Sequence, residues 1–212
     1  MIELGLKFTI AYLLGSVLGS LVVGQVRGGV DIRKLGSENA GGTNALRTQG
    51  KAFAFWVMLI DVGKGMICVL LLPVFEIPVI GLDPHLSHEL LLVAVGFGAI
   101  LGHVYPIWYE FRGGKGGATA AGVICVLEPV IALPALAIWL SVILLTRYVG
   151  LSTMSVSIGV SVYIGLTRFP AQIELFIFSL IVAALIIYTH RENIKRMLQG
   201  TETRLEMVRF GK

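Results

Sequence analysis

The chain has 212 residues, of which 56% are apolar and only 14% charged, and its formal net charge is +4. These proportions exclude an ordinary soluble domain, and apolar stretches of about 20 residues, the length that crosses a bilayer core, recur along it. Its two cysteines, Cys68 and Cys125, both lie within apolar runs, so neither a disulfide framework nor a zinc site is suggested. The composition predicts an all-α polytopic membrane protein, with residues 1–212 forming one integral membrane domain.

The first apolar run, Phe8 to Val26, has no basic segment before it and no small-residue cleavage site after it, and reads as a retained span. Gly15-xxx-Gly19 and Ser16-xxx-Ser20 give it a small-residue face for close helix packing. Arg27 to Lys51 reads as a polar loop. Ala52 to Phe75 is the second span and carries Asp61 and Lys64. An intramembrane lysine is a functional candidate, although a carboxylate three residues earlier is a ready structural partner. Glu76 to Glu89 is a short acidic connection without Lys or Arg. Leu90 to Trp108 is the third span, with Gly98-xxx-Gly102 as a second packing face. The stretch Ala118 to Thr146 is interrupted by Glu128-Pro129, where proline cannot continue the hydrogen-bond ladder. Tyr148 to Thr167 and Gln172 to Thr189 follow, then a polar tail from His190 to Lys212.

The placement of the seventeen Lys and Arg residues sets the expected topology. They concentrate in 27–51 (Arg27, Arg33, Lys34, Arg47, Lys51), in the turn at Arg112 and Lys115, at Arg147, and in the tail. The positive-inside rule assigns all four segments to the cytoplasm. A single span over 118–146 would put the basic tail outside, whereas two short helices split at Glu128-Pro129 return it to the inside. The expectation is seven transmembrane helices, N-terminus out and C-terminus cytoplasmic.

Three polar segments then share one membrane face. In Arg112-Gly113-Gly114-Lys115-Gly116-Gly117, four glycines around one lysine suit a tight fold that turns amide N–H groups toward a single volume. Thr119 stands just inside the following helix, whose N-terminal partial positive charge faces the same way. The combination reads as an anion site, most naturally for phosphate. It is not a Walker A loop, because Gly116 stands where Ser or Thr must follow the lysine. The loop Gly36-Ser37-Glu38-Asn39-Ala40-Gly41-Gly42-Thr43-Asn44-Ala45-Leu46-Arg47 offers hydroxyl and amide groups and one guanidinium, an inventory suited to a phosphorylated polyol. In the tail, Lys195 and Arg196 read as the basic face of an amphipathic helix lying on anionic lipid.

The three segments GSENAGGTNALR, GHVYPIWYEFRGGKGGAT and HRENIKRMLQGTE, in that order, resemble the motifs of the acyl-phosphate-dependent glycerol-3-phosphate acyltransferases of bacterial membranes. The resemblance extends over nearly the whole chain, through Asp61-Val62-Gly63-Lys64-Gly65 and Gly150-Leu151-Ser152. It implies transfer of a fatty acyl group from acyl phosphate to the 1-hydroxyl of glycerol 3-phosphate, giving lysophosphatidic acid and phosphate for phospholipid synthesis. It also implies no cofactor, no metal and no nucleic acid, a bacterial inner-membrane location with the site facing the cytoplasm, and a functional link to a soluble enzyme that makes acyl phosphate. The His-x4-Asp pair of acyltransferases with soluble domains is missing, since Leu90, Val93, Trp108 and Lys195 follow the four histidines at that spacing.

By this resemblance the substrate-binding residues are Ser37, Asn39, Thr43, Asn44 and Arg47, then Gly113, Gly114, Lys115, Gly116 and Thr119, then His190, Asn193 and Glu202. Lys64 and Ser152 are weaker additions. Lys115, Arg47, His103 and His190 are the candidate catalytic groups. Neither histidine has a carboxylate close in sequence to orient it, and a substrate phosphate, with a second pKa near 6, is itself a competent proton acceptor. A small anion or phosphate transporter is the alternative reading; the absence of an internal repeat and the gathering of polar residues at one face count against it.

Overall fold

The structure is a computed structural model, which describes residues 1–78 and 80–205. Ten α-helices account for most of it: α1 (Ile2–Gly15), α2 (Gly19–Val26), α3 (Gly42–Gln49), α4 (Lys51–Leu71), α5 (His88–Val104), α6 (Gly117–Leu127), α7 (Ala132–Thr146), α8 (Val149–Thr167), α9 (Ile173–Thr189) and α10 (Arg191–Leu198). Among the described residues the only β-type pairing is one isolated bridge, Ile77 to Gly81.

Four helical segments are long and apolar enough to cross a membrane: Lys51–Leu71, His88–Tyr109, Pro129–Thr146 and Val149–Thr167. Two bent pairs, α1 with α2 (42°) and α9 with α10 (54°), raise the number to six if each pair is one span, and α6 is a shorter apolar helix of 11 residues. The break expected at Glu128-Pro129 is present: α6 ends at Leu127, and a 3-10 turn over Pro129–Ile131 leads into α7.

Two features differ from expectation. The first run begins at Ile2 rather than Phe8 and is bent after Gly15, so it is not one straight helix. Charge at its start hides this in the sequence, but Glu3 and Lys7 are both buried and pair at 2.6 Å. Lys7 also donates to Pro73 O at 2.9 Å, and Glu3 accepts from the Asp83 amide, so the pair ties α1 to the α4–α5 connection. The segment 27–51 is also not all loop, since it contains α3.

The small-residue faces act in packing. A Cβ at Gly98 would lie 2.8 Å from Phe8 O, Gly102 lies against Tyr12 O, and Gly15 lies against Ala99 O. Backbone therefore meets backbone between α1 and α5, which gains dispersion contact where the lipid tails give no hydrophobic drive. Gly65 and Gly122 play the same part between α4 and α6, against Thr119 O and Val62 O. α5 is the central post, with 61% of its apolar window buried. α7 is peripheral at 11%.

Candidate active site

The turn after α5 is folded back on that helix. The Gly114 amide donates to His103 O at 3.0 Å, and Arg33 donates to Tyr109 O at 3.2 Å, pinning the turn to the segment 27–51. Of the four glycines around Lys115 only Gly116 adopts a left-handed φ, +86°. Glu110 and Phe111, which are not glycines, take φ of +58° instead. The glycines serve close approach rather than turn geometry: a Cβ on Gly113 would strike the His103 and Val104 carbonyl oxygens, one on Gly114 the His103 ring, and one on Gly117 the Thr153 methyl. The expected cradle of amides is thus a tight packing of the turn onto His103, which presents Lys115 at the start of α6.

Lys115 meets the tail. Its Nζ donates to Asn193 Oδ1, Asn193 Nδ2 donates to Glu202 Oε1 at 2.8 Å, and Arg196 Nε donates to Glu202 Oε2 at 2.7 Å. Thr189 Oγ1 donates to Lys115 O, and Arg47 Nη2 donates to Thr203 O at 2.9 Å. All three polar segments are therefore joined in one network. Burial, reinforced by the positive charges of Arg196 and Arg47, pushes the Lys115 pKa down to about 8. Burial also depresses His190, to about 4, and Lys115 adds to the shift. His190 Nδ1 lies 2.7 Å from Ile186 O, so the neutral ring donates there and leaves Nε2 as an acceptor.

These groups surround one pocket of about 910 Å³. Ser37, Asn39, Thr43, Arg47, Lys115, His190, Asn193, Arg196 and Glu202 line its polar part. The rest is apolar, walled by α6, α7, α8 and α9 through side chains such as Ile124, Leu136, Trp139, Val160, Phe178 and Val182. Cations thus stand over an apolar interior within one cavity.

Several expected ligands are placed otherwise. Asn44 borders the pocket, but its amide is committed to backbone: Nδ2 donates to Ile32 O, Leu35 O and Asn39 O, and Oδ1 accepts from Ser37 N. It shapes the loop that presents Ser37 and Asn39. Gly113, Gly114, Gly116, Thr119 and Ser152 lie behind the wall; Ser152 donates to Tyr148 O, and the buried Thr119 hydroxyl has no partner among the described residues. Lys64 is also behind it, donating to Val17 O at 2.7 Å and lying 3.0 Å from both Asp61 Oδ1 and His103 Nδ1. His103 does border the pocket, held by Lys64 and by Asp61 at 3.4 Å. Arg196, which the sequence assigned to a lipid-facing helix surface, instead lines the pocket, whereas Lys195 is exposed. The i+6 spacing from Arg196 to Glu202, across Gly200, is the signal that could have revealed it.

An all-helical integral membrane protein with cations grouped at the mouth of an apolar pocket belongs to the class that handles phosphorylated lipid precursors. The glycerol-3-phosphate acyltransferase family model matches residues 6–200, and the chain belongs to that family. The glycerol-3-phosphate acyltransferase of Aquifex aeolicus is 38% identical over 92% of this chain and 95% of its own length, and that of Chlorobaculum parvum is 36% identical over 95% and 96%. Two crystal structures of PlsY (YgiH), an integral membrane glycerol 3-phosphate acyltransferase, superpose at 35% identity. The glycerol 3-phosphate form has a TM-score of 0.82 and covers 96% of each chain; the lysophosphatidic acid form has a TM-score of 0.80 and covers 97% of this chain and 96% of that one. The protein is an acyltransferase of phospholipid biosynthesis.

Proposed function

We propose that the pocket binds glycerol 3-phosphate and acyl phosphate together and transfers the acyl group to the 1-hydroxyl, releasing lysophosphatidic acid and inorganic phosphate. The observation that carries this reading is the union of a cationic mouth and an apolar interior in one cavity. Two phosphate groups need several cations, and Arg47, Lys115 and Arg196 supply them. A fatty chain needs apolar walls, and α6 to α9 supply those. The forms in which PlsY has been crystallised, with glycerol 3-phosphate and with lysophosphatidic acid, support both halves.

In the proposed reaction the 1-hydroxyl oxygen attacks the acyl carbonyl carbon, the bond from that carbon to the phosphate oxygen breaks, and inorganic phosphate leaves. The hydroxyl proton passes to a phosphate oxygen. His190 is neutral and its burial makes it a weak base, so a phosphate oxygen is the better proton acceptor. His103 is packed between Lys64, Asp61 and Gly114 and serves to hold the turn. Ser37, Asn39, Thr43 and Asn193 position the polar substrate groups.

The same reading places the chain in a bacterial inner membrane as seven passes, N-terminus out and C-terminus in, with α6 as a short pass and the polar pocket mouth facing the cytoplasm. A soluble enzyme that makes acyl phosphate would supply the donor. The test is direct: purified protein in detergent, given acyl phosphate and labelled glycerol 3-phosphate, forms labelled lysophosphatidic acid without ATP, CoA or added metal. Formation only from an acyl thioester would overturn the assignment of the donor.

A further inference from the structure

One buried carboxylate borders the pocket and has no place in the chemistry above. Asp61 exposes none of its surface to water. Its Oδ1 is engaged: the Gly19 amide donates to it at 3.1 Å and Lys64 Nζ pairs with it at 3.0 Å, with the His103 ring close by at 3.4 Å. Its Oδ2 has no hydrogen-bond partner among the described residues. A buried acceptor left unmade is costly, and such exceptions call for an explanation. We infer that Asp61 is a further binding residue, whose Oδ2 accepts a hydrogen bond from the 2-hydroxyl of glycerol 3-phosphate.

The inference rests on the pocket being the acyl-transfer site. The polar mouth is rich in donors, which suits phosphate but not a hydroxyl that must donate. The attacking 1-hydroxyl gives its proton to phosphate, whereas the 2-hydroxyl keeps its proton and needs an acceptor. Both Glu202 oxygens are taken by Asn193 and Arg196, and the Asn44 and Asn193 carbonyl oxygens are taken as well. The Ser37 and Thr43 hydroxyls, the Asn39 side-chain oxygen, His190 Nε2 and Asp61 Oδ2 remain, and among the described residues Asp61 Oδ2 is the one of these that is buried without a partner. Asp61 is also the rigid choice, because its other oxygen is fixed from α2 and α4 at once. A site built to bond a hydroxyl rejects the analogue lacking it, because its own polar group is then left unpaired.

The experiment compares glycerol 3-phosphate with 3-hydroxypropyl phosphate, which lacks only the 2-hydroxyl. The unmodified enzyme should prefer glycerol 3-phosphate in kcat/KM by at least roughly tenfold, the low end for a hydrogen bond to a charged group. Asp61→Asn should lose that preference while KM for acyl phosphate stays nearly constant, and His190→Gln should keep the preference. A structural role would lower turnover of both acceptors alike and leave their ratio standing; that result, or loss of the preference in His190→Gln instead, overturns the inference. Should Asp61→Asn not fold, infrared difference spectra decide. The chain has three aspartates, so Asp31→Asn/Asp83→Asn protein labelled with 4-13C-aspartate reports Asp61 alone. Its carboxylate band should shift on adding glycerol 3-phosphate and not on adding inorganic phosphate; no shift with glycerol 3-phosphate refutes the assignment. Failure of the unmodified enzyme to make any lysophosphatidic acid would instead bring down the acyl-transfer reading, and this inference with it.

Discussion

Lys115 offers the sharpest quantitative test, because its charge is titratable where the assay works. Burial and the nearby Arg196 hold its pKa at about 8, so part of the population has lost the proton that a phosphate contact requires. The substrate phosphate, with a second pKa near 6, stays dianionic above pH 7.5. A lowered lysine pKa means that binding competence is lost as pH rises through that value. When only a fraction of the protein is competent, the apparent Kd rises by the inverse of that fraction. At pH 9, one unit above the pKa, about a tenth of Lys115 is protonated, and Kd for glycerol 3-phosphate should be about tenfold weaker than its low-pH limit. Titration calorimetry from pH 7 to 9.5 measures this directly. Lys115→Arg, which keeps its charge to beyond pH 12, should lack the alkaline rise even if it binds more weakly overall. Lys115→Met should bind roughly 10- to 150-fold more weakly at pH 7, from about 1.5–3 kcal/mol for a charge-assisted contact. A Kd that stays flat to pH 9.5 in the unmodified enzyme, or an identical rise in Lys115→Arg, would remove Lys115 from the phosphate site.

Three further outcomes follow from other parts of the molecule. His190→Gln should cost nearer tenfold than a thousandfold in turnover and keep the acidic limb, because a group with pKa about 4 is already neutral there; a thousandfold loss with the limb abolished would make His190 the base. Arg168, at the end of α8, donates to Glu128 in the α6–α7 break at 2.6 and 2.8 Å, and those bonds hold the Glu128 carboxyl below its ordinary pKa of 4.5. That contribution is present above pH 4.5 and is lost as the carboxylate is protonated, so Arg168→Gln should lower Tm at pH 7 by a margin that closes toward pH 3; a margin independent of pH would contradict the pairing. In a background without native cysteines, His85→Cys should label from outside intact cells, and Glu110→Cys and Thr201→Cys should not. Outside labelling at Thr201 would mean an even number of passes.

Much of this organisation is legible in the sequence, for reasons that can be named. Hydropathy and length locate the long helices, and Pro129 announces its own break because a missing N–H is visible in one letter. The small-residue face of the third run is readable too, since spacing of four puts Gly98 with Gly102 on one helix side, whereas Gly15 and Gly19 fall on either side of the bend and pack against α5 and α4 respectively. What escapes is set by partners far apart in the chain. Lys64 looks available until Val17 O and His103 take its protons, from 47 and 39 residues away. Asn44 looks like a ligand until four backbone groups claim its amide. The glycines around Lys115 suggest turn geometry, whereas the positive φ angles fall on Glu110 and Phe111, and the glycines leave room for His103. Glu3 and Lys7 read as a charged flank because neither letter shows that the other neutralises it in the interior.

The exposure of α7 has a consequence for the cell that makes this enzyme. Leu133, at 77% exposure, and Leu136, at 52%, belong at once to the pocket wall and to the outer surface of the bundle. On the proposed reading, one side of the compartment for the fatty chain is therefore held in place partly by neighbouring lipids. Stiffer or thicker surroundings press on that side differently from fluid ones, and the helix can yield where a fully packed one could not. On that reading, the membrane assembled from this enzyme's product bears directly on a wall of the site that makes it.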